Sequence, residues 1–207
     1  MIEAVLWDFG GVILSSPFEA FNAYEADAGL PTDFIRTVNA TNPHTNAWAL
    51  LERSDVSPEE FDGLFADESE TLGHRVPGAA VLGLLSGAVR PEMVIALDRV
   101  IDAGLKTACL TNNVVGGQAR PEVGAVMSRF GHVVESSKVG VRKPETRFYE
   151  IACEMVGVAP SACVFLDDLG INLKPARAMG MTTIKVPDAD GAIDDLGRIL
   201  GIDLRAA

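Results

Sequence analysis

The sequence is short of positive charge, of cysteine and of long apolar runs, and each shortage removes a class of answers. Lysine and arginine total 17 against 29 aspartates and glutamates in 207 residues, a formal net charge of −12. That balance repels a phosphate backbone over most of the surface, so nucleic acid is not an expected partner. No apolar stretch approaches the roughly 18 residues of a membrane span, so no lipid crossing is expected. The opening Met1-Ile2-Glu3-Ala4 carries no basic leader before its short apolar run, and the expected compartment is the cytoplasm. Three cysteines, Cys109, Cys153 and Cys163, match neither a disulfide framework nor a zinc site, and read as reduced core thiols. No internal repeat or low-complexity tract is present. What remains is an ordinary globular composition, 48% hydrophobic and 22% charged, long enough for one domain with an insert.

The chain divides into two patterns. After Leu14, helix-like segments follow one another without strands: Phe18, Phe21 and Tyr24 share a face, and a second stretch runs from Thr45 to Arg53. Ser57-Pro58-Glu59-Glu60 offers a capping serine, a proline for the first helical position and a capping-box glutamate, with Phe61, Leu64 and Phe65 as the apolar stripe. Glycine and proline at Gly73 to Gly78 and Gly87 to Pro91 mark turns. From Pro91 onward helix and strand alternate. Pro91 to Ala103 and Pro121 to Phe130 read as helical, and Lys106 to Leu110 and His132 to Glu135 as extended. A helix follows with Phe148, Ile151, Ala152 and Met155 on one face, then strands around Val164 and over Thr182 to Val186. With the opening Ile2 to Trp7 this makes five strands in parallel βαβ units. Asn172 as helix cap would put Pro175 in a first turn, where its missing N–H costs nothing.

Polar groups stand where these strands end: Asp8 before Gly10-Gly11, Thr111-Asn112-Asn113, Lys143 in the loop beyond the His132 strand, and Asp167-Asp168. In an open parallel sheet such positions converge on one crevice. Together they suit phosphoryl transfer. A carboxylate such as Asp8 can attack phosphorus and hold the group as an acyl phosphate. Two anions must meet for that attack, so the site needs positive charge, which a magnesium ion held by Asp168 and the Lys143 ammonium would supply. The Thr111 hydroxyl and the N–H beyond it can hold phosphate oxygens. Taken singly, Asp8 is a turn residue, Lys143 a solvated lysine before a proline, Arg142 a surface charge, and Asn172 either a cap or a partner of the acidic pair.

The ordered segments Trp7-Asp8-Phe9-Gly10-Gly11-Val12, Leu110-Thr111-Asn112-Asn113, Lys143-Pro144-Glu145 and Phe165-Leu166-Asp167-Asp168-Leu169-Gly170-Ile171-Asn172-Leu173-Lys174 resemble the haloacid dehalogenase superfamily over nearly the whole length. The last segment, continued through Met181, is similar to the phosphatase domain of soluble epoxide hydrolases and to the phosphatase-like domain of some acyl-CoA dehydrogenases. The resemblance implies an α/β fold: a Rossmann-like parallel sheet core over 1–15 and 89–207, with a helical cap over 16–88. It implies Asp8 as nucleophile and magnesium ligand, Thr111 and Asn112 as phosphate holders, Lys143 as charge partner, Asp168 as metal ligand with Asp167 beside it, and the Gly10 carbonyl on the metal.

One position departs from that pattern. Phosphatases of the superfamily usually carry an aspartate two places after the nucleophile, to protonate the leaving oxygen; here Gly10 stands there. Loss of such a group costs about 10²- to 10⁴-fold in rate. Three readings stay open: a substrate whose leaving group needs little protonation, such as an acyl or anomeric phosphate; replacement by His44, His74 or a substrate hydroxyl; or a phosphoryl-ligand binder without turnover. A dehalogenase works without metal and would leave Asp167-Asp168 idle. The expected function is therefore a magnesium-dependent hydrolase of a small phosphorylated metabolite, as monomer or homodimer.

Overall fold

In the computed structural model, which describes residues 1–115 and 120–205, the first strand is apolar on both faces because it lies mid-sheet. This β1 (Ala4–Trp7) is wholly buried and pairs in parallel with β2 (Lys106–Thr111) on one side and β4 (Cys163–Asp167) on the other. Beyond them lie β3 (His132–Glu135) and β5 (Thr182–Lys185), giving the order β3-β2-β1-β4-β5. The chain thus winds outward from β1 in both directions, and the crevice is expected at the carboxyl end of β1.

Side chains alternate along each strand and so build two apolar layers. Val5, Trp7, Cys109, Val164 and Leu166 pack against α6 (Pro91–Asp102), α7 (Pro121–Met127) and α11 (Ala189–Leu200). Ala4, Leu6, Ala108, Leu110 and Phe165 pack against α9 (Thr146–Val156) and α10 (Gly170–Ala178). The α/β architecture and the five parallel strands agree with the sequence pattern. All three cysteines are free and buried. No helix among the described residues is long and apolar enough to cross a membrane.

Between the first and second strands lie five helices with a separate apolar cluster centred on Phe21, Ile35, Phe61, Phe65 and Val81: α1 (Phe18–Asp27), α2 (Phe34–Ala40), α3 (Ala47–Glu52), α4 (Pro58–Thr71) and α5 (Gly78–Gly83). Ser57 and Glu60 form the capping box of α4. The chain leaves and re-enters the sheet layer through a short antiparallel crossing, with Ser15 N–H donating to Ala88 O at 2.7 Å and Arg90 N–H to Ile13 O at 2.9 Å.

Several local expectations need correction. Leu64 is 40% exposed, because Phe61, Phe65 and Ser69 hold the buried stripe of α4 at four-residue steps. Met155 likewise faces solvent at 43%, the buried face of α9 being Phe148, Tyr149, Ala152, Cys153 and Val156. Asn172 does not cap α10: that helix starts at Gly170, so Pro175 sits in its interior and Asn172 turns inward. The short helix α8 (Ser136–Val139) leads from β3 toward the lysine loop.

Candidate active site

Asp8 leaves β1 in extended conformation, with its N–H on Leu166 O at 2.8 Å. The chain then winds through one wide turn, Phe9 to Ile13, closed by Leu14 N–H on Phe9 O at 2.8 Å. Within it Gly11 has φ +78°, and a Cβ there would run into the Asp168 carboxylate. Glycine is therefore demanded twice, by backbone sign and by the close approach of an acid. Gly10 differs: its φ is −72°, it is exposed, and a Cβ would meet nothing within 4 Å.

Lys143 ties the centre together. Its ammonium lies 2.6 Å from Asp8 Oδ1 and 2.8 Å from Asp167 Oδ2, at 1% exposure for the residue. Asp167 accepts further bonds from Leu169 N–H at 2.8 Å and from Asn172 Nδ2 at 3.0 and 3.1 Å, so both its oxygens are occupied. Tyr149, buried beneath, donates its hydroxyl to Asn172 O at 2.7 Å and fixes that helix turn. Asp8, Asp167 and Asp168 each bring one carboxylate oxygen within 4.8 Å of the others.

Three carboxylates against one lysine leave uncompensated negative charge. Burial, then the nearby Asp167, push the Asp8 carboxyl well above its ordinary range, with Lys143 pulling the other way. Burial and Asp167 push Asp168 up to about 6, opposed by Lys143 and by Arg90. For Lys143 burial opposes the charge, but Asp167 and Asp8 outweigh it and hold the ammonium above its usual range. A hard divalent cation suits this donor set: carboxylate oxygens with excess negative charge, and room for Asp168 secured by Gly11.

Thr111 ends β2 beside Asp8, buried at 6%, and its hydroxyl makes no hydrogen bond with the described residues. Asn112 is placed differently from a free phosphate holder. Its side-chain amide brackets the Lys143 backbone, Oδ1 accepting from Lys143 N–H at 2.9 Å and Nδ2 donating to Lys143 O at 3.0 Å. Asn113 ties the β2 and β3 ends together through Glu135, Ser136 and Ser137.

Two residues carried no sequence signal. Glu52, at the end of α3, is 6% exposed and accepts from Asn112 Nδ2 at 3.0 Å and Trp48 Nε1 at 2.9 Å while pairing with Arg142. Burial raises its pKa against the pull of Arg142 and Trp48. Arg142 is thus a partly buried ion-pair member and not the surface charge expected. Arg90, which opens α6, is near enough to act on Asp168, and its NH1 is buried without a hydrogen-bond partner among the described residues. Of the alternative acids, His74 packs edge-on to Phe34 and His44 is exposed, its carbonyl accepting from Arg53; neither imidazole makes a hydrogen bond with the described residues.

Comparison with known proteins points the same way. A family model described as haloacid dehalogenase-like hydrolase matches residues 2–180. Acyl-CoA dehydrogenase family member 10 of Mus musculus is 31% identical over 98% of this chain and 19% of its own length. Bifunctional epoxide hydrolase 2 of Sus scrofa is 36% identical over 98% of this chain and 40% of its own length. The chain therefore spans well under half of these two relatives. A protein of Mycobacterium tuberculosis named as a phosphatase is 30% identical, covering 96% of this chain and 95% of its own. Among solved structures, a haloacid dehalogenase family enzyme of Bacteroides thetaiotaomicron, in complex with magnesium and inorganic phosphate, aligns with a TM-score of 0.60 at 20% identity, over 91% of this chain and 96% of that one. At that identity the likeness speaks for the fold.

Proposed function

The chain belongs to the haloacid dehalogenase-like hydrolases, and from that premise we propose that it is a magnesium-dependent phosphohydrolase working through an aspartyl phosphate on Asp8. The observation that carries the reading is the bridge of Lys143 between Asp8 and Asp167 at 2.6 and 2.8 Å, with Asp168 alongside. A buried lysine between two carboxylates holds Asp8 in one rotamer and lowers the repulsion felt by an incoming phosphate dianion.

Asp8, Asp168 and the Gly10 carbonyl would hold the magnesium ion. It would supply the remaining positive charge against phosphate oxygens. Asp167, with both oxygens engaged by Lys143, Asn172 and Leu169, orients the lysine. Asp8 attacks phosphorus, the bond from phosphorus to the leaving oxygen breaks, and that oxygen departs with the electron pair. Water then attacks the acyl phosphate, releasing inorganic phosphate and regenerating the Asp8 carboxylate. The Thr111 hydroxyl, which makes no hydrogen bond with the described residues, is a donor suited to the phosphate oxygens. Helices α1 to α5, residues 16–88, act as a cap that excludes water and selects the leaving group.

Substrate class follows from Gly10. Its ordinary φ and open surroundings place no backbone or packing demand for glycine, which supports reading the absent carboxylate as a matter of chemistry. An acyl or anomeric phosphate, whose leaving group is stable with little or no protonation, fits a site without that acid. The test is phosphate release from acetyl phosphate, glucose 1-phosphate and, as the alkyl contrast, glycerol 3-phosphate with magnesium, using Asp8→Asn as control. Release from the first two that Asp8→Asn abolishes supports the reading. Equal release from both proteins contradicts it, and tight phosphate-analogue binding without release identifies a binder.

A further inference from the structure

Glu52 reaches across from α3 to the two groups that flank Lys143. Its Oε2 accepts from Asn112 Nδ2 at 3.0 Å and pairs with Arg142, while Oε1 accepts from Trp48 Nε1 at 2.9 Å. A carboxylate this buried is tolerable only with both oxygens engaged. Both engagements bear on the lysine. Arg142 is its chain neighbour, and Asn112 holds its backbone N–H and C=O.

The loop alternates. Arg142 turns outward to Glu52 and to Pro43 O at 2.9 Å, Lys143 turns inward to Asp8 and Asp167, and Glu145 turns outward to Arg53 at 3.2 Å. The end of α3 therefore grips the lysine loop on both sides. Arg142 and Glu52 expose only 12% and 8% of their side chains, so parting them would leave two charges poorly solvated. Asn112 is similarly committed: one amide proton goes to Lys143 O and the other to Glu52, so loss of Glu52 frees the amide to rotate.

We propose that Glu52 is a positioning residue: held on the helical insert, it locks Asn112 and Arg142 on either side of Lys143, so that the lysine ammonium is aligned on Asp8 only while the insert is seated on the core. The inference rests on the phosphohydrolase reading for its consequence in turnover, and on geometry alone for the lock. Removing the lock displaces the ammonium from the attacking carboxylate, a misplacement worth about 10²-fold in rate where reacting groups must align. Phosphate binding through Thr111 is left in place.

The test uses the full chain with Glu52→Gln, which keeps the shape and removes the charge, and Arg142→Met, which removes the charge from the other side. On acetyl phosphate each should lower kcat by about tenfold to a hundredfold with KM changed less than about threefold, and the double variant should be no worse than either single one. Independently of turnover, the Lys143 amide, which donates to Asn112, should exchange its hydrogen at least about tenfold faster in both variants. Unchanged exchange in folded Glu52→Gln and Arg142→Met overturns the lock, as does turnover equal to wild type while Asp8→Asn is silent. If Asp8→Asn still releases phosphate, the phosphohydrolase reading fails, and the exchange result alone decides the lock.

Discussion

Asp168→Asn should make the metal-free protein more stable at pH 8 while removing its activity. In the folded chain burial and Asp167 bring the Asp168 carboxyl from 3.8 up to about 6. A carboxyl raised on folding contributes stability that is fully present below its unfolded value and is lost as pH climbs through the folded one. Two pKa units at 1.36 kcal/mol each set the loss at about 3 kcal/mol above pH 6, and the upward shift of Asp8 acts in the same direction. Asparagine cannot ionise, so the variant escapes that loss. For a chain of this size a gain of 1 kcal/mol raises Tm by about 2 to 4 °C, so the variant should melt about 6 to 12 °C higher than wild type at pH 8 and at nearly the same temperature at pH 4. Magnesium should reverse the order. At a thousandfold excess over Kd wild type gains about 4.1 kcal/mol, more than the deficit of about 3 kcal/mol, whereas the variant, lacking a ligand, gains far less. Thermal melts in chelator and in magnesium at four or five pH values read all of this. Parallel pH curves for the two proteins, or a less stable variant at pH 8 in chelator, would refute the charge-excess account of the site.

Gly11→Ala should abolish magnesium-linked stabilisation, because its Cβ collides with the Asp168 carboxylate and its φ of +78° adds strain; calorimetric titration with magnesium checks this. Gly10→Asp should fold normally, since the position is open, and should raise alkyl phosphate turnover by about 10²- to 10⁴-fold; unchanged turnover would show that another group already protonates the leaving oxygen. Lys143→Met should cost about 3 to 5 kcal/mol in chelator by leaving Asp8, Asp167 and Asp168 without their cation, a loss measurable by urea titration.

The strand ends were legible because two signals coincide there: a short apolar run bounds the strand, and an acid or threonine stands at its exit, as at Asp8, Thr111 and Asp167. Helix faces were less so. Leu64 and Met155 fit a helical stripe in the sequence, but the buried stripe is narrower than the spacing allows, and packing against the sheet or insert chose their neighbours. Asn172 could be read as a cap or as a partner of the acids; only the true helix start at Gly170, which turns its amide toward Asp167, decides. Glu52 gave no signal at all. Its partners Asn112 and Arg142 lie 60 and 90 positions away, and an acid ending an amphipathic helix ordinarily faces water. Helix α11 carries a start signal in the sequence, Asp188 capping it by accepting from Gly191 N–H at 2.8 Å.

The covalent step on Asp8 is open to direct observation. After acid quench of the protein turning over acetyl phosphate with magnesium, mass spectrometry of the peptide containing Asp8 should find it heavier by one phosphoryl group, and the same peptide from Asp8→Asn unmodified. A phosphoryl group on any other residue, or phosphate release with the Asp8 peptide never modified, would contradict the account.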